Sequence, residues 1–546
     1  MLTRLAGGHV IDPVHGQDGI ADLWMRDGRI VAAPDGGDAD VTHDLGGKVV
    51  MAGAIDIHSH IAGANVNTAR LLLPHWHPAA ADRPDATWLT RAGWSTDVIG
   101  RLYAAMGYTT VVEPAVAPHH ALHAHLELAD TPIIDTAILS ILGNDDFLLG
   151  LLRDGESGSA IADYAAWTLS ATRGLGIKVI NAGGAMAFKS NLRAFSLDDV
   201  VPDYGVTSRQ IVAALQKAAD ALGVPHPVHV HCNNLGMAGN VETALATISG
   251  FDGLPIHLAH VQFYAYGTEG GRGFSSAAPR LAEAVNRAKT VTVDVGQVMF
   301  GQTTTISSDV LRQFNARDRA RPRKWVIYDG DSNGGGMVPY EYRRSDFFNA
   351  VQWAAGLELF LLIDDPSRVF FTTDHPNGAP FTSYPDLMAL LMSRDLRAEW
   401  MATLPAEALA VTTLASISRE YTLTEIATMT RAAPARLLGL SDRGHLGAGA
   451  RADIAVYDLG NHRDRAGAFR HAALVFKDGE LVVRDGAVVS TPPGRALSLA
   501  PEPDAAIGRR LQAYYESRYG LSDALLRVPE WAVGRSQSFE VVSCGR

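Results

Sequence analysis

The stretch AIDIHSH, residues 54–60, closes a short apolar run with two histidines separated by one serine. In an extended strand, residues i and i+2 point to the same face, so His58 and His60 can reach one ion together. Alone such a pair is weak evidence, because the chain holds three others: His75/His77, His123/His125 and His229/His231. Its meaning depends on what else the fold brings to the same place.

Working outward, seven further runs share the texture of the first, which begins at Gly53: GYTTVVEP (107–114), TPIIDTAILSILG (131–143), GIKVINAGG (176–184), HPVHVHCNN (226–234), LPIHLAHVQF (254–263), TVTVDVGQV (290–298) and RVFFTTDHP (368–376). Between several of them lie stretches with helical periodicity, such as SRQIVAALQKAADALG (208–223) and AAPRLAEAVNRA (277–288). Strands buried on both faces and joined by helices read as a parallel α/β sheet. Eight such strands predict a (β/α)8 barrel with insertions, and an open doubly wound sheet is the alternative. The barrel is favoured because polar residues gather at the C-terminal ends of many runs, where barrel sites are built.

The ends of the chain read differently. GGHVIDP, IADLWMRDGRIVAAP and DVTHDLGGKVVMAG early, and GHLGAGARADIAVYDL and AALVFKDGELVVRDGAVVS late, are short alternating runs with Gly and Asp turns. Residues 1–51 and 431–499 are expected to pair into one small β-domain, with the barrel over 52–430 and a partly helical extension over 500–546. Residues 304–345 interrupt the barrel rhythm as an elaborated loop between the seventh and eighth runs. Its GDSNGGGMVP lacks the strand–GxxxxGK[ST]–helix context of a nucleotide site.

Composition narrows the class. A chain of 546 residues predicts two or more domains, and 47% hydrophobic with 19% charged residues is ordinary for globular proteins. A net charge of −12 argues against general nucleic-acid binding. Two cysteines, Cys232 and Cys544, form no disulfide framework and point to a reducing compartment. No run approaches the roughly 20 apolar residues of a membrane span, and the start lacks a signal-peptide core. The expectation is a soluble cytoplasmic protein that binds neither nucleic acid nor membrane.

The strand ends carry the chemistry. The first run ends on His58 and His60, the fourth holds Lys178, the fifth His229 and His231, the sixth His257 and His260, and the eighth Asp374. Imidazole and carboxylate suit Zn²⁺, and Fe²⁺ or Mn²⁺ also accept mixed N/O sites. A lysine among ligands makes sense once CO₂ has converted its amine to a carbamate, an anion able to bridge two ions. Two ions roughly 3.5–4 Å apart activate one water for attack on a carbonyl, while Asp374 takes the water proton and passes it to the leaving amine. A plain salt-bridging Lys178 beside a single metal is the alternative. His119, His120, His123 and His125 read as surface or loop residues, and Cys232 as a small buried one.

These residues, in order and spacing, resemble the amidohydrolase superfamily. The resemblance implies metal ligands His58, His60, Lys178, His231, His260 and Asp374, a binuclear centre with Zn²⁺ as first choice, and a small β-sandwich built from both chain ends. VHCNN is similar to the family's strand-five turn, which favours His231 over His229. Longer strings, among them HSHIAGANVNTARLLLP, HVHCNNLGMAGN, VTVDVGQVMFGQTTTISSD, KWVIYDGDSNGGGMVPYEYR and FTTDHPNGAPFTSYPDL, resemble the family of the A component of formylmethanofuran dehydrogenase. Its bacterial relatives belong to the formyltransferase/hydrolase complex of methylotrophs, and the Ala/Arg-rich background favours that version. The resemblance implies hydrolysis of an N-formyl group from a methanofuran-type one-carbon carrier to formate and free amine, beside other subunits. A carrier described as glutamate-bearing wants positive charge. Arg312, Arg317, Arg319, Arg321, Arg323 and Lys324 form one cluster, and Arg343 with Arg344 another. Arg317, Arg321 and Asn233 are the expected substrate contacts. A stand-alone dihydroorotase- or hydantoinase-like cyclic amidase and a scaffold with a decayed site are the alternatives; the six filled ligand positions argue against decay.

Overall fold

Eight short parallel strands frame the site. The computed structural model describes residues 1–72, 96–190, 196–251, 253–307, 309–321, 323, 336–460, 464–534 and 538–545. The strands are β1 (Ala54–Asp56), β2 (Tyr108–Val116), β3 (Asp135–Leu142), β4 (Gly176–Ile180), β5 (Val228–His231), β6 (Ile256–Leu258), β7 (Val291–Asp294) and β8 (Val369–Phe370). Each pairs in parallel with the next. A parallel bridge between Ser59 and His375 joins the end of β8 back to β1. His60 N donates to His375 O at 2.9 Å across that seam. The result is a (β/α)8 barrel.

The apolar runs follow from burial on both faces. Ile177 and Val179 alternate with Lys178 on β4, and all three are buried. The helices that cover the strands are amphipathic. Ser208–Ala221 opens with a capping box between Thr207 and Gln210, and buries Ile211, Val212, Leu215, Ala218 and Ala219 along one stripe.

The chain ends build a second, nine-stranded sheet. Val49–Ala52 and Ile454–Tyr457 pair antiparallel and join the two halves. Alternation divides the work: Val50 and Ala52 enter the sheet's own core with Leu5, Val10, Ile454 and Phe476, whereas Val49 and Met51 enter the barrel core. Lys477 Nζ lies 3.0 Å from Asp135 of β3 and 2.7 Å from Asp453, so a buried ionic link fastens sheet to barrel. Ala496–Ser498 leaves that sheet and runs parallel to the first half of β3, with Phe539–Val541 beside it.

Within the loop expected over 304–345, Gly301–Ser307 and Gly336–Tyr342 form an antiparallel hairpin. His75, His77, Lys324 and residues 330–335 of the glycine-rich stretch lie outside the described residues. His125 is not a surface residue. It is buried on helix Ala121–Ala129, with Nε2 3.0 Å from Thr172 O, because the C-terminal strand covers that helix. Cys232 is buried, as its position beside His231 predicts. Among the described residues no helix is long and apolar enough to cross a membrane.

Candidate metal centre

The barrel strands deliver their last side chains through sharp exits. Asn181, Asn234, His260 and Asp374, just past β4, β5, β6 and β8, have φ of 43°, 70°, 36° and 52°. Positive φ is uncommon for residues with a Cβ and is found where the surrounding structure holds it. Gly296 makes room for one of these exits: a Cβ there would lie 2.5 Å from that of His260.

His58, His60 and Asp374 offer ligand atoms that all lie within 4.8 Å of one another. Asp374 Oδ1 is 3.0 Å from His58 Nε2 and 3.3 Å from His60 Nε2. His231 Nδ1 faces His260 Nε2 at 3.1 Å. Lys178 is 1% exposed and lines the same cavity as His60, His231, His260 and Asp374. The structure thus brings together all six residues that the sequence nominates.

Three buried carboxylates hold the opposite nitrogens of these rings. His58 Nδ1 lies 3.0 Å from Asp294, His60 Nδ1 3.0 Å from Glu113, and His231 Nε2 3.0 Å from Asp309. A carboxylate that takes the far N–H fixes the tautomer and leaves the near nitrogen's lone pair for a cation. Glu113 also accepts from Ile61 N and Ala62 N, and Asp294 from His260 N. Asp294 further contacts His257 Nε2 at 3.0 Å, and His229 Nε2 lies 3.0 Å from His58 Nδ1. His229 and His257 therefore sit beneath the cavity and support the upper layer.

The inward atoms suit a cation. His58 Nε2, Asp374 Oδ1 and Lys178 Nζ are buried and lack hydrogen-bond partners. Such atoms are costly unless something satisfies them. Burial lowers the Lys178 ammonium to about 8, against the pull of Asp294 and Asp374. Burial alone would raise the Asp374 carboxyl, but the neighbouring His260 and His58 hold it well below the usual carboxylate range. Burial opposes a charge on His60, yet Glu113 and Asp374 bring that ring up to about 9. Nitrogen and carboxylate donors of this kind suit divalent ions.

The cavity above them measures about 210 Å³. Ile306, Ser307, Gln313 and Arg321 come to it from the insertion between β7 and β8. Arg321 donates to the carbonyls of Arg317, Asp318 and Ala320, with its guanidinium 4.7 Å from the Phe348 ring. Arg317 is not brought to the cavity: it is exposed, its guanidinium 5.2 Å from the Phe314 ring. Asn233 is buried with Nδ2 unpartnered, outside the cavity lining. Sequence reasoning did not reach Glu113, Asp294, Asp309 or Asn377. The last donates to Asp374 Oδ2 at 3.0 Å and accepts from Ile306 N at 2.6 Å.

Comparison with known proteins bears on this geometry. The A component of the formyltransferase/hydrolase complex Fhc of Methylorubrum extorquens is 50% identical to this chain, with 100% of each covered. Protein FwdA of Methanocaldococcus jannaschii is 40% identical over 89% of this chain and 88% of its own. A chain in the crystal structure of FhcABCD from Methylorubrum extorquens in complex with methylofuran superposes with a TM-score of 0.93 at 50% identity, covering 100% of both. The profile of the amidohydrolase family matches residues 41–490. The chain belongs to the amidohydrolase family, within the branch that holds these relatives.

Proposed function

We propose that the chain hydrolyses the N-formyl group of a formylated methanofuran-type carrier, releasing formate and the free amine, as one member of a multi-subunit formyltransferase/hydrolase complex. The observation that carries this reading is the full-length likeness to a chain of a complex that binds methylofuran, over a site whose six ligand-type side chains converge.

His58, His60, Lys178, His231, His260 and Asp374 would hold two divalent ions, with Zn²⁺ as first choice. Bound there, the ions supply a water acidic enough to ionise near neutral pH and a Lewis acid for the formyl oxygen. Lys178 would contribute as a carbamate: its neutral Nζ adds to CO₂ and loses a proton, which puts an anion where the ions would be held. A Nζ without a hydrogen-bond partner, with its ammonium lowered to about 8, supports that step. The Asp374 carboxylate would accept the water proton and return it to the departing amine, because an amide nitrogen leaves only when protonated. Asn377 donates to Oδ2 and fixes the orientation of the carboxylate.

A cavity of about 210 Å³ suits the formamide end of a long carrier, whose remainder lies outside. Arg321 at its wall meets the anionic carrier. Arg317, turned away from the cavity, contributes only as surface charge.

The test is substrate choice by the purified chain with its co-purifying subunits. Formate release from an N-formylated methanofuran-type carrier, with no opening of hydantoin or dihydroorotate, supports the reading. The reverse pattern replaces it with a cyclic amidase.

A further inference from the structure

His231 differs from the other ring nitrogens of the site in where its support comes from. Glu113 and Asp294, which hold His60 and His58, stand on barrel strands β2 and β7. Asp309, which holds His231 Nε2 at 3.0 Å, does not stand on a barrel strand. It lies two residues past the hairpin strand Gly301–Ser307, in the insertion that also gives the cavity Ile306, Ser307, Gln313 and Arg321. Its carboxylate is buried at 1% exposure. Its second oxygen accepts from Asn181 Nδ2 at 3.1 Å, and Asn181 immediately follows β4, the strand of Lys178.

We infer that Asp309 is a positioning residue for the metal site. It takes the Nε2 proton of His231, so Nδ1 carries the lone pair on the side that faces His260 Nε2. By the same contact it fixes the cavity wall to the metal layer. The insertion is therefore a working part of the metal centre as well as a cover over it. This rests on the reading of His231 as a metal ligand.

The experiment uses the full chain with its co-purifying subunits, stripped with a chelator and titrated with Zn²⁺ against a competing dye. D309A is expected to weaken at least one Zn²⁺ equivalent by tenfold or more. D309N, whose amide oxygen still accepts from Nε2, is expected to fall between D309A and the parent. N181A removes the side-chain hydrogen bond to the other oxygen of Asp309 while leaving the Asp309 contact with the His231 ring and the Asn181 N–H bond to the His231 carbonyl in place, and is expected to stay within threefold of the parent. An equal loss in D309A and N181A, or D309A within threefold of the parent, overturns the inference. H231A separates the two levels of the argument. If H231A leaves Zn²⁺ affinity unchanged, His231 is not a ligand and the underlying reading fails. If H231A weakens it while D309A does not, the role of Asp309 alone fails. Melting of the metal-free variants at the parent temperature shows that the fold is intact.

Discussion

His58 Nε2 and Asp374 Oδ1 face each other at 3.0 Å, both buried and neither hydrogen-bonded. The two residues come from opposite ends of the barrel sequence and meet because the Ser59–His375 bridge closes β8 onto β1. Each such atom carries a desolvation penalty of about 1–3 kcal/mol when left unsatisfied. Two such atoms aimed at one point cost stability and suit the ion and the proton transfer proposed above.

Replacement of Asp374 by Asn keeps the shape and removes the proposed base. Turnover is expected to fall by about 10²–10⁴-fold, the usual range for a lost acid–base group, with the fold retained and metal still bound. Steady-state kinetics and elemental analysis on the same preparation check this. Near-normal turnover would remove Asp374 from the proton transfer.

Lys178→Ala deletes the group proposed to become the carbamate. Metal content is expected to drop below that of the parent after identical reconstitution with Zn²⁺ and bicarbonate. Elemental analysis of the dialysed protein measures it, and a full two-ion content would show that no carbamate bridge is needed.

Asn377→Ala frees Asp374 Oδ2, now held at 3.0 Å. A hydrogen bond to a charged group contributes roughly 1.5–3 kcal/mol, so kcat is expected to fall about ten- to hundredfold while KM stays within about threefold. A KM effect with unchanged kcat would place Asn377 in substrate binding instead.

How much of this was legible in the sequence depends on the kind of pattern each part leaves. All eight barrel strands were readable, because burial on both faces forces apolar runs such as GIKVI and VHVH, and their polar ends mark the catalytic face. Those ends nominated His58, His60, Lys178 and Asp374, whereas strands five and six each offered two histidines and the choice of His231 rested on the family resemblance. Glu113 and Asp294 carry a signal of their own, a lone carboxylate inside an apolar strand that must find a buried partner. Asp309 leaves none: ISSDVLRQF reads like any loop that opens a helix, and only the tertiary fold turns it onto His231. Nothing in the spacing of Arg317 and Arg321 says which of them reaches the cavity. Ala496–Ser498 is too short to show a period, and its place beside β3 is set by packing.

Burial lowers the His125 ring to about 4, whereas an unfolded histidine titrates near about 6.5. Between those values the unfolded chain binds the extra proton, so acid favours unfolding. The stability kept by the neutral ring is full above pH ~6.5 and is lost as the pH falls toward 4, by about 3 kcal/mol in all. His125→Gln is expected to lessen the drop in melting temperature between pH 7 and pH 5. An equal drop in parent and variant would show that His125 does not set it.

The most direct measurement of the central claim is formate release from an N-formylated methanofuran-type carrier by the chain with its co-purifying subunits, before chelation, after it, and after Zn²⁺ is restored. The account predicts release that chelation abolishes and metal restores. Release that persists without metal would contradict the metal-centred mechanism, and no release from a metal-loaded preparation would contradict the formyl hydrolase itself.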